Sequence, residues 1–258
     1  MIVVARVRQL RGYGSLDSTA AASAQSTAKQ RVVPGARGDS VMQWRAHTII
    51  FDLDGVLIDS GKGIANAVNF TLRTLGRPVL PSEQIIGYIG PGVEGVWRKC
   101  LGADADQLLD IAIPIYKARY RENGVAETTC YPGVPETLSR LKSQGKIMAV
   151  ATNKPGEFTQ LTLQKLDIAR YFDIVVDAES VHHRKPDPEA IELILAKLKV
   201  PPETTIVVGD AATDIQAAKA AKTISCGVTY GYGSPHEIVA ARPDFIIDRM
   251  EDLLSSIV

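Results

Sequence analysis

Only three cysteines, Cys100, Cys130 and Cys226, occur in 258 residues. They are odd in number, scattered and without metal-ligand spacing, which argues against a disulfide framework or a structural zinc site. Such thiols suit a reducing compartment, so the expected location is cytoplasmic. Excess charge is also missing: 29 basic side chains balance 29 acidic ones. A chain without net charge has no global attraction to nucleic acid or to an anionic membrane, and neither is expected as a partner. No apolar run approaches the roughly 20 residues that span a bilayer, and no internal repeat is present. What remains is ordinary globular composition, 45% hydrophobic. At this length roughly 70–75% of the unfolded surface can be buried, enough for one large domain plus an insert.

Residues 1–44 differ in composition from the rest of the chain. Arg6, Arg8, Arg11, Lys29, Arg31 and Arg37 outnumber Asp17 and Asp39, and Ser18 to Ser26 is a low-complexity run of small residues. Such composition does not offset the entropy of ordering a packed core. The expectation is a disordered extension with no catalytic part. Two alternatives stay open: an Arg-rich, Ser-rich organelle transit segment, or a natural start at Met42.

Thr48-Ile-Ile-Phe-Asp-Leu-Asp-Gly55 is the most informative stretch. An apolar run of this kind before a turn signal predicts a buried strand. Asp52 and Asp54, two positions apart on an extended chain, point the same way. Two unit charges about 4 Å apart repel by roughly 4 kcal/mol at an effective dielectric near 20. A fold that buries such a pair needs a cation, a shared proton or a nearby lysine. The plainer alternative is an Asp-Gly turn closing a strand.

Three later segments supply candidates. Met148 to Ala151 is apolar and ends in Thr152-Asn153-Lys154; His183-Arg184-Lys185-Pro186-Asp187-Pro188 runs into a helix start; Thr205 to Val208 leads into Gly209-Asp210-Ala211-Ala212-Thr213-Asp214. Each has a structural reading: a turn hydroxyl at Thr152, a solvated charge at Lys185, a helix cap and first-turn acid at Asp210 and Asp214. In an open parallel α/β sheet, however, ligands bind beyond the carboxyl ends of the strands. There these side chains would share one crevice.

The ordered set Asp-x-Asp-Gly, Thr-Asn, Lys-Pro-Asp-Pro and Gly-Asp-x-x-x-Asp resembles the haloacid dehalogenase-like hydrolase superfamily, from about residue 47 to the end. Four motifs in order are far more specific than any single match. The resemblance implies a doubly wound parallel α/β core, residues 45–60 and 131–258, with a small α-helical cap inserted at 61–130. It implies Asp52 as nucleophile and Asp54 as general acid and base, with Lys185 neutralising charge. Thr152 and the Asn153 amide would hold phosphoryl oxygens. Mg2+ would be held by Asp52, Asp54 through its carbonyl, Asp210 and Asp214, the last as ligand or supporting acid. The family often has serine where this chain has Ala211, which predicts one lost hydrogen bond. Asp54 favours phosphoryl transfer over carbon–halogen cleavage, whose relatives carry a different residue there.

Between the first two motifs the chain reads helical near 64–75, 82–100 and 104–123. Gly87 to Gly95 resembles the cap loop of phosphoglycolate-phosphatase-like members, which would bring Arg98 to a substrate carboxylate or phosphate. Trp97 fits the core better than a ligand contact, and His182 with His183 fits a solvated loop. Strands are expected near 146–151, 173–177, 204–209, 223–228 and 244–247. Helices should open at Asp187-Pro188 and at the capping box of Ser234 and Glu237. The expected activity is Mg2+-dependent hydrolysis of a small phosphorylated metabolite, with 2-phosphoglycolate the leading guess, by a monomer or homodimer. A sugar phosphomutase, an inorganic pyrophosphatase or a phospho-Asp signalling domain are the alternatives.

Overall fold

The structure is a computed structural model that describes residues 31–34 and 40–258, with side-chain surroundings from residue 43 onward. The expected disorder of residues 1–44 falls largely outside the described residues. Within them, β1 (Arg31–Pro34) and β2 (Ser40–Gln43) pair antiparallel, and Trp44 is buried at the edge of the main core.

The core begins with β3 (Thr48–Phe51), every residue of which is buried. Then β4 (Ile58–Asp59) pairs antiparallel with β5 (Thr129–Cys130). The central sheet is completed by β6 (Ile147–Ala151), β7 (Ile174–Val176), β8 (Thr205–Gly209), β9 (Ile224–Val228) and β10 (Phe245–Ile247), in the order β10-β9-β8-β3-β6-β7, all parallel. Apolar runs with few polar interruptions make these strands, because a parallel sheet is covered on both faces. Burying each Ile or Val contributes about 1.5–3 kcal/mol. Progress along the chain runs outward from β3 through β6 to β7, then returns to β8 on its other side. That reversal between β3 and β8 opens a crevice beyond their carboxyl ends.

Between β4 and β5 lie α1 (Gly61–Thr74), α2 (Ser82–Ile86), α3 (Gly92–Leu101) and α4 (Ala105–Arg119), the last running into a π-helical turn at Tyr120–Gly124. Ile64, Val68 and Leu72 form the buried stripe of α1 and meet Trp97, Leu109, Tyr116 and Tyr120 in an apolar cluster separate from those of the sheet. The β4–β5 ribbon is its stem. The stretch expected as one helix over 82–100 is two, because Gly90 takes φ +133° and Pro91 precedes α3.

The remaining helices, α5 (Val134–Ser143), α6 (Gly156–Lys165), α7 (Glu189–Leu198), α8 (Ala212–Ala220), α9 (Pro235–Ala240) and α10 (Asp252–Ser256), accompany the sheet. Asp187 accepts the Glu189 N–H at 2.9 Å ahead of α7. Pro188 is the cap residue rather than the first helical one, so α7 opens one residue later than expected. Ser234 precedes α9, yet its side chain makes no capping hydrogen bond, so the expected capping box is not closed. At α8 the cap residue Ala211 has no side-chain acceptor and an extended backbone, φ −120° and ψ 155°. Asp214 reaches back to the Ala211 N–H at 3.0 Å, which is one half of a capping box. A serine would supply the other half. Ala211→Ser is therefore expected to stabilise the protein by about 1 kcal/mol. Thermal melting should show a rise of roughly 2–4 °C; an unchanged or lower midpoint contradicts that geometry.

Candidate active site

The crevice forms because β3, β6 and β8 end within one residue of each other. Phe51 lies opposite Val150 on one side and Val208 on the other. The first residues past the three strands, Asp52, Thr152 and Asp210, therefore emerge within one residue of each other in register. The Asp52 N–H still donates to Val208 O at 2.9 Å, which holds its backbone to the sheet. Gly55 turns the chain at φ +86°, and a Cβ there would stand 2.1 Å from Asp210 Oδ2, so the motif needs glycine.

Lys185 is the hub beneath the crevice. Its Nζ stands 2.9 Å from Asp52 Oδ1 and 2.6 Å from Asp214 Oδ1, and donates to Ala151 O at 2.9 Å. Burial disfavours the Lys185 charge, but Asp214 and Asp52 outweigh it and raise its pKa. Asp214 is itself fully engaged, one oxygen on Lys185 and the other on the Ala211 N–H. Asp210 Oδ2 accepts the N–H groups of Tyr232 at 2.7 Å and Gly233 at 3.2 Å.

Asp52, Asp210 and Asp214 can each direct an oxygen to within 4.8 Å of the others. Three crowded carboxylates suit a small hard cation such as Mg2+, which prefers oxygen ligands. Their crowding has a measurable consequence. Burial, with the charges of Asp214 and Asp52 behind it, pushes Asp210 up to about 8. Burial and Asp214 push Asp52 up to about 6 against the pull of Lys185. Both exceed the ordinary carboxyl value of 3.8, so the folded metal-free chain binds more protons than the unfolded one. Its stability is then lost as pH rises from about 4 to 8. A cation held by these carboxylates would displace those protons and bind more tightly as pH rises. Adding Mg2+ is expected to raise the melting temperature more at about pH 8 than at about pH 6. An equal or smaller rise at the higher pH contradicts the acid-cluster account.

Asp54 points elsewhere. Its carboxylate meets Lys154 Nζ at 3.0 and 3.2 Å and accepts a short hydrogen bond from Ser60 Oγ. Only its backbone carbonyl is left for the metal that the resemblance assigns to it. Thr152 and Asn153 are buried on the crevice floor. The Asn153 side chain donates to Gly90 O at 2.9 Å and accepts the Lys185 N–H at 3.3 Å, which ties the helical segment to the lysine loop.

The cleft is compact, with about 70 Å³ of free space. Its floor is Asp52, Asp54, Thr152, Asn153 and Asp210; its walls include Ile64, Ile89, Val93, Val96 and Trp97. The glycine-rich loop does reach the site, through Ile89, Gly90 and Gly92. Arg98 does not. It stands half-exposed on α3, paired with Glu94 and Asp106 at 2.9 Å each, because the inward position of that turn belongs to Trp97. His183 lies outside the cleft against Glu189. Lys154 and Tyr232, neither with a motif role, also line the cleft. The sequence signal for Lys154 is its place directly after Thr152-Asn153 at a strand end. Tyr232, in a glycine-flanked loop after β9, carries none. Its hydroxyl accepts the N–H groups of Ser60 and Gly61 at 2.6 and 2.7 Å, where the helical segment begins.

A Rossmann-like parallel sheet with an acid cluster and a buried lysine beyond its switch point defines a class, the doubly wound α/β proteins that hold a ligand at the carboxyl ends of their strands. The family model for haloacid dehalogenase-like hydrolases matches residues 49–228, and the chain belongs to that family. The phosphoglycolate phosphatase of Salmonella typhimurium is 36% identical over 230 residues, covering 81% of this chain and 91% of the relative. That of Escherichia coli K12 is 34% identical over the same length. Among solved structures, a predicted phosphoglycolate phosphatase from Haemophilus somnus matches with a TM-score of 0.74 at 30% identity. It covers 82% of this chain and 97% of that one.

Proposed function

We propose that this protein is a magnesium-dependent phosphatase that cleaves a small phosphorylated metabolite, 2-phosphoglycolate first among them, through an aspartyl-phosphate on Asp52. The chain is a hydrolase of phosphate esters, as its family and relatives establish. The substrate, the metal and the steps are our reading. One observation carries it: a carboxylate on the cleft floor, Asp52, is held at 2.9 Å by a buried lysine beside two further acids.

Asp52 attacks phosphorus as the ester P–O bond breaks, and a carboxylate nucleophile divides a very slow hydrolysis into two easier steps. Asp54 gives a proton to the departing alkoxide, then takes one from the water that attacks the phosphoenzyme and restores Asp52. The Thr152 hydroxyl and Asn153 amide hold phosphoryl oxygens, while Lys185 balances their charge. Mg2+, held by Asp52, Asp210 and the Asp54 carbonyl, would supply further neutralisation of the phosphoryl group. Asp214, with both oxygens engaged, orients Lys185 rather than ligating. The apolar walls suit a short carbon skeleton. Lys154 is the one basic side chain lining the cleft among the described residues and is already paired, so a second phosphate finds no cation there. That disfavours a bisphosphate-handling mutase.

A panel of phosphorylated metabolites with and without Mg2+ tests this reading, with Asp52→Asn as control. Phosphate release that needs both Mg2+ and Asp52, strongest on 2-phosphoglycolate, is expected. Release of no phosphate from any monoester contradicts the reading.

A further inference from the structure

We infer that Lys154 is a positioning residue that holds Asp54 in line for proton transfer, and that the helical segment completes this hold through Tyr120. The inference rests on the reading of Asp54 as general acid. Lys154 follows β6 in the core, yet its ammonium joins two parts of the molecule. It meets both Asp54 oxygens at 3.0 and 3.2 Å and the Tyr120 hydroxyl at 3.1 Å, and it sits 5.0 Å from the centre of the Tyr120 ring. The Lys154 side chain is only 4% exposed and that of Asp54 13%. Tyr120 is fixed in turn: its ring stacks on Tyr116 at 5.7 Å and meets Phe158 edge-on at 4.9 Å.

A buried ion pair of this kind adds little net stability, because desolvation offsets most of the attraction. What the pair does contribute is orientation. A carboxylate can turn about its side-chain torsions, and a general acid works only within hydrogen-bond reach of the leaving oxygen. Ser60 grips Asp54 Oδ1 alone. Lys154 adds a second point of attachment on Oδ2, which fixes the plane of the carboxyl group. In the step it serves, Asp54 first takes up a proton from solvent; the Asp52–phosphorus bond then forms, the ester P–O bond breaks and that proton moves to the departing oxygen, which leaves Asp54 an anion paired with Lys154. Lys154 loses no proton. Because Tyr120 belongs to the inserted segment, the acid is held fully only where that segment is seated on the core.

The test uses kcat/KM, which reports only steps up to formation of the phosphoenzyme. A series of substituted phenyl phosphates and one alkyl phosphate varies the need for a proton on the leaving group. Lys154→Met is expected to lose roughly 10- to 100-fold more on the alkyl ester than on p-nitrophenyl phosphate, within the range of general-acid contributions. Tyr120→Phe should shift the leaving-group dependence the same way by less, and the double variant should be no worse than Lys154→Met alone. A uniform fall across all esters, with Asp54→Asn showing the leaving-group dependence, overturns the role of Lys154 and spares that of Asp54. Absence of that dependence in Asp54→Asn overturns both. If Lys154→Met does not fold, Tyr120→Phe decides: a shifted dependence supports the inference and an unshifted one overturns it.

Discussion

Asp52→Asn is expected to abolish turnover and leave the fold intact. An amide cannot take the phosphoryl group, and losses on removing a nucleophile run to roughly 10⁴–10⁶-fold in rate. Stability should move the other way. The fold disfavours the charged form of Asp52, whose carboxyl sits at about 6, mainly through burial and then through Asp214. A neutral side chain removes that repulsion, while Lys185 keeps its 2.6 Å contact with Asp214. In the absence of Mg2+ the variant should melt at or above the wild-type temperature at about pH 8, where the wild-type carboxylate is ionised. Steady-state rates and melting curves on one preparation check both halves. A rate within tenfold of wild type would remove Asp52 from the chemistry.

Lys185→Met should cost both activity and stability. It strips the cation from two buried carboxylates at once, Asp52 and Asp214. Removing one partner of a buried pair costs about 3–5 kcal/mol, because the charge left behind is unpaired. At this size the melting temperature should fall by roughly 10 °C. The loss has a pH sign. Without the ammonium the Asp52 carboxyl moves further above about 6, so the folded state holds its proton to higher pH. Destabilisation should therefore be mild near pH 5 and larger near pH 8, because stability falls as the unfolded chain ionises first. The rate should drop by about 10²–10³-fold, the size of a lost electrostatic contact to a transferring group. Melting at the two pH values separates this account from a simple packing defect, which would cost the same at both.

Much of the core is legible in the chain because buried parallel strands are short apolar runs, and those runs end where β6, β7, β8, β9 and β10 end. The gathering of Asp52, Thr152 and Asp210 follows from one rule, that such strands deliver their next residues to a common edge; Lys185 joins them from the loop ahead of α7. Helical detail is harder to read. Over 82–100 the periodicity is continuous enough to suggest one helix, and only the Gly90 and Pro91 backbone breaks it. Arg98 reads as available for substrate, but the face a helix turns inward is settled by packing, and Trp97 takes it. Lys154 is visible as a residue and not as a contact. Its partners lie 100 and 34 positions away, and no local pattern encodes such meetings. Asp214 reads equally as ligand or as support. The double engagement of its carboxylate favours support.

Rapid acid quench during turnover, followed by peptide mapping by mass spectrometry, tests the central claim most directly. With Mg2+ and a phosphomonoester that the protein hydrolyses, the account predicts one phosphoryl group on the peptide that carries Asp52, formed and discharged at the rate of phosphate release and absent from Asp52→Asn. Steady phosphate release with no phosphoryl group on Asp52 at any time would contradict it.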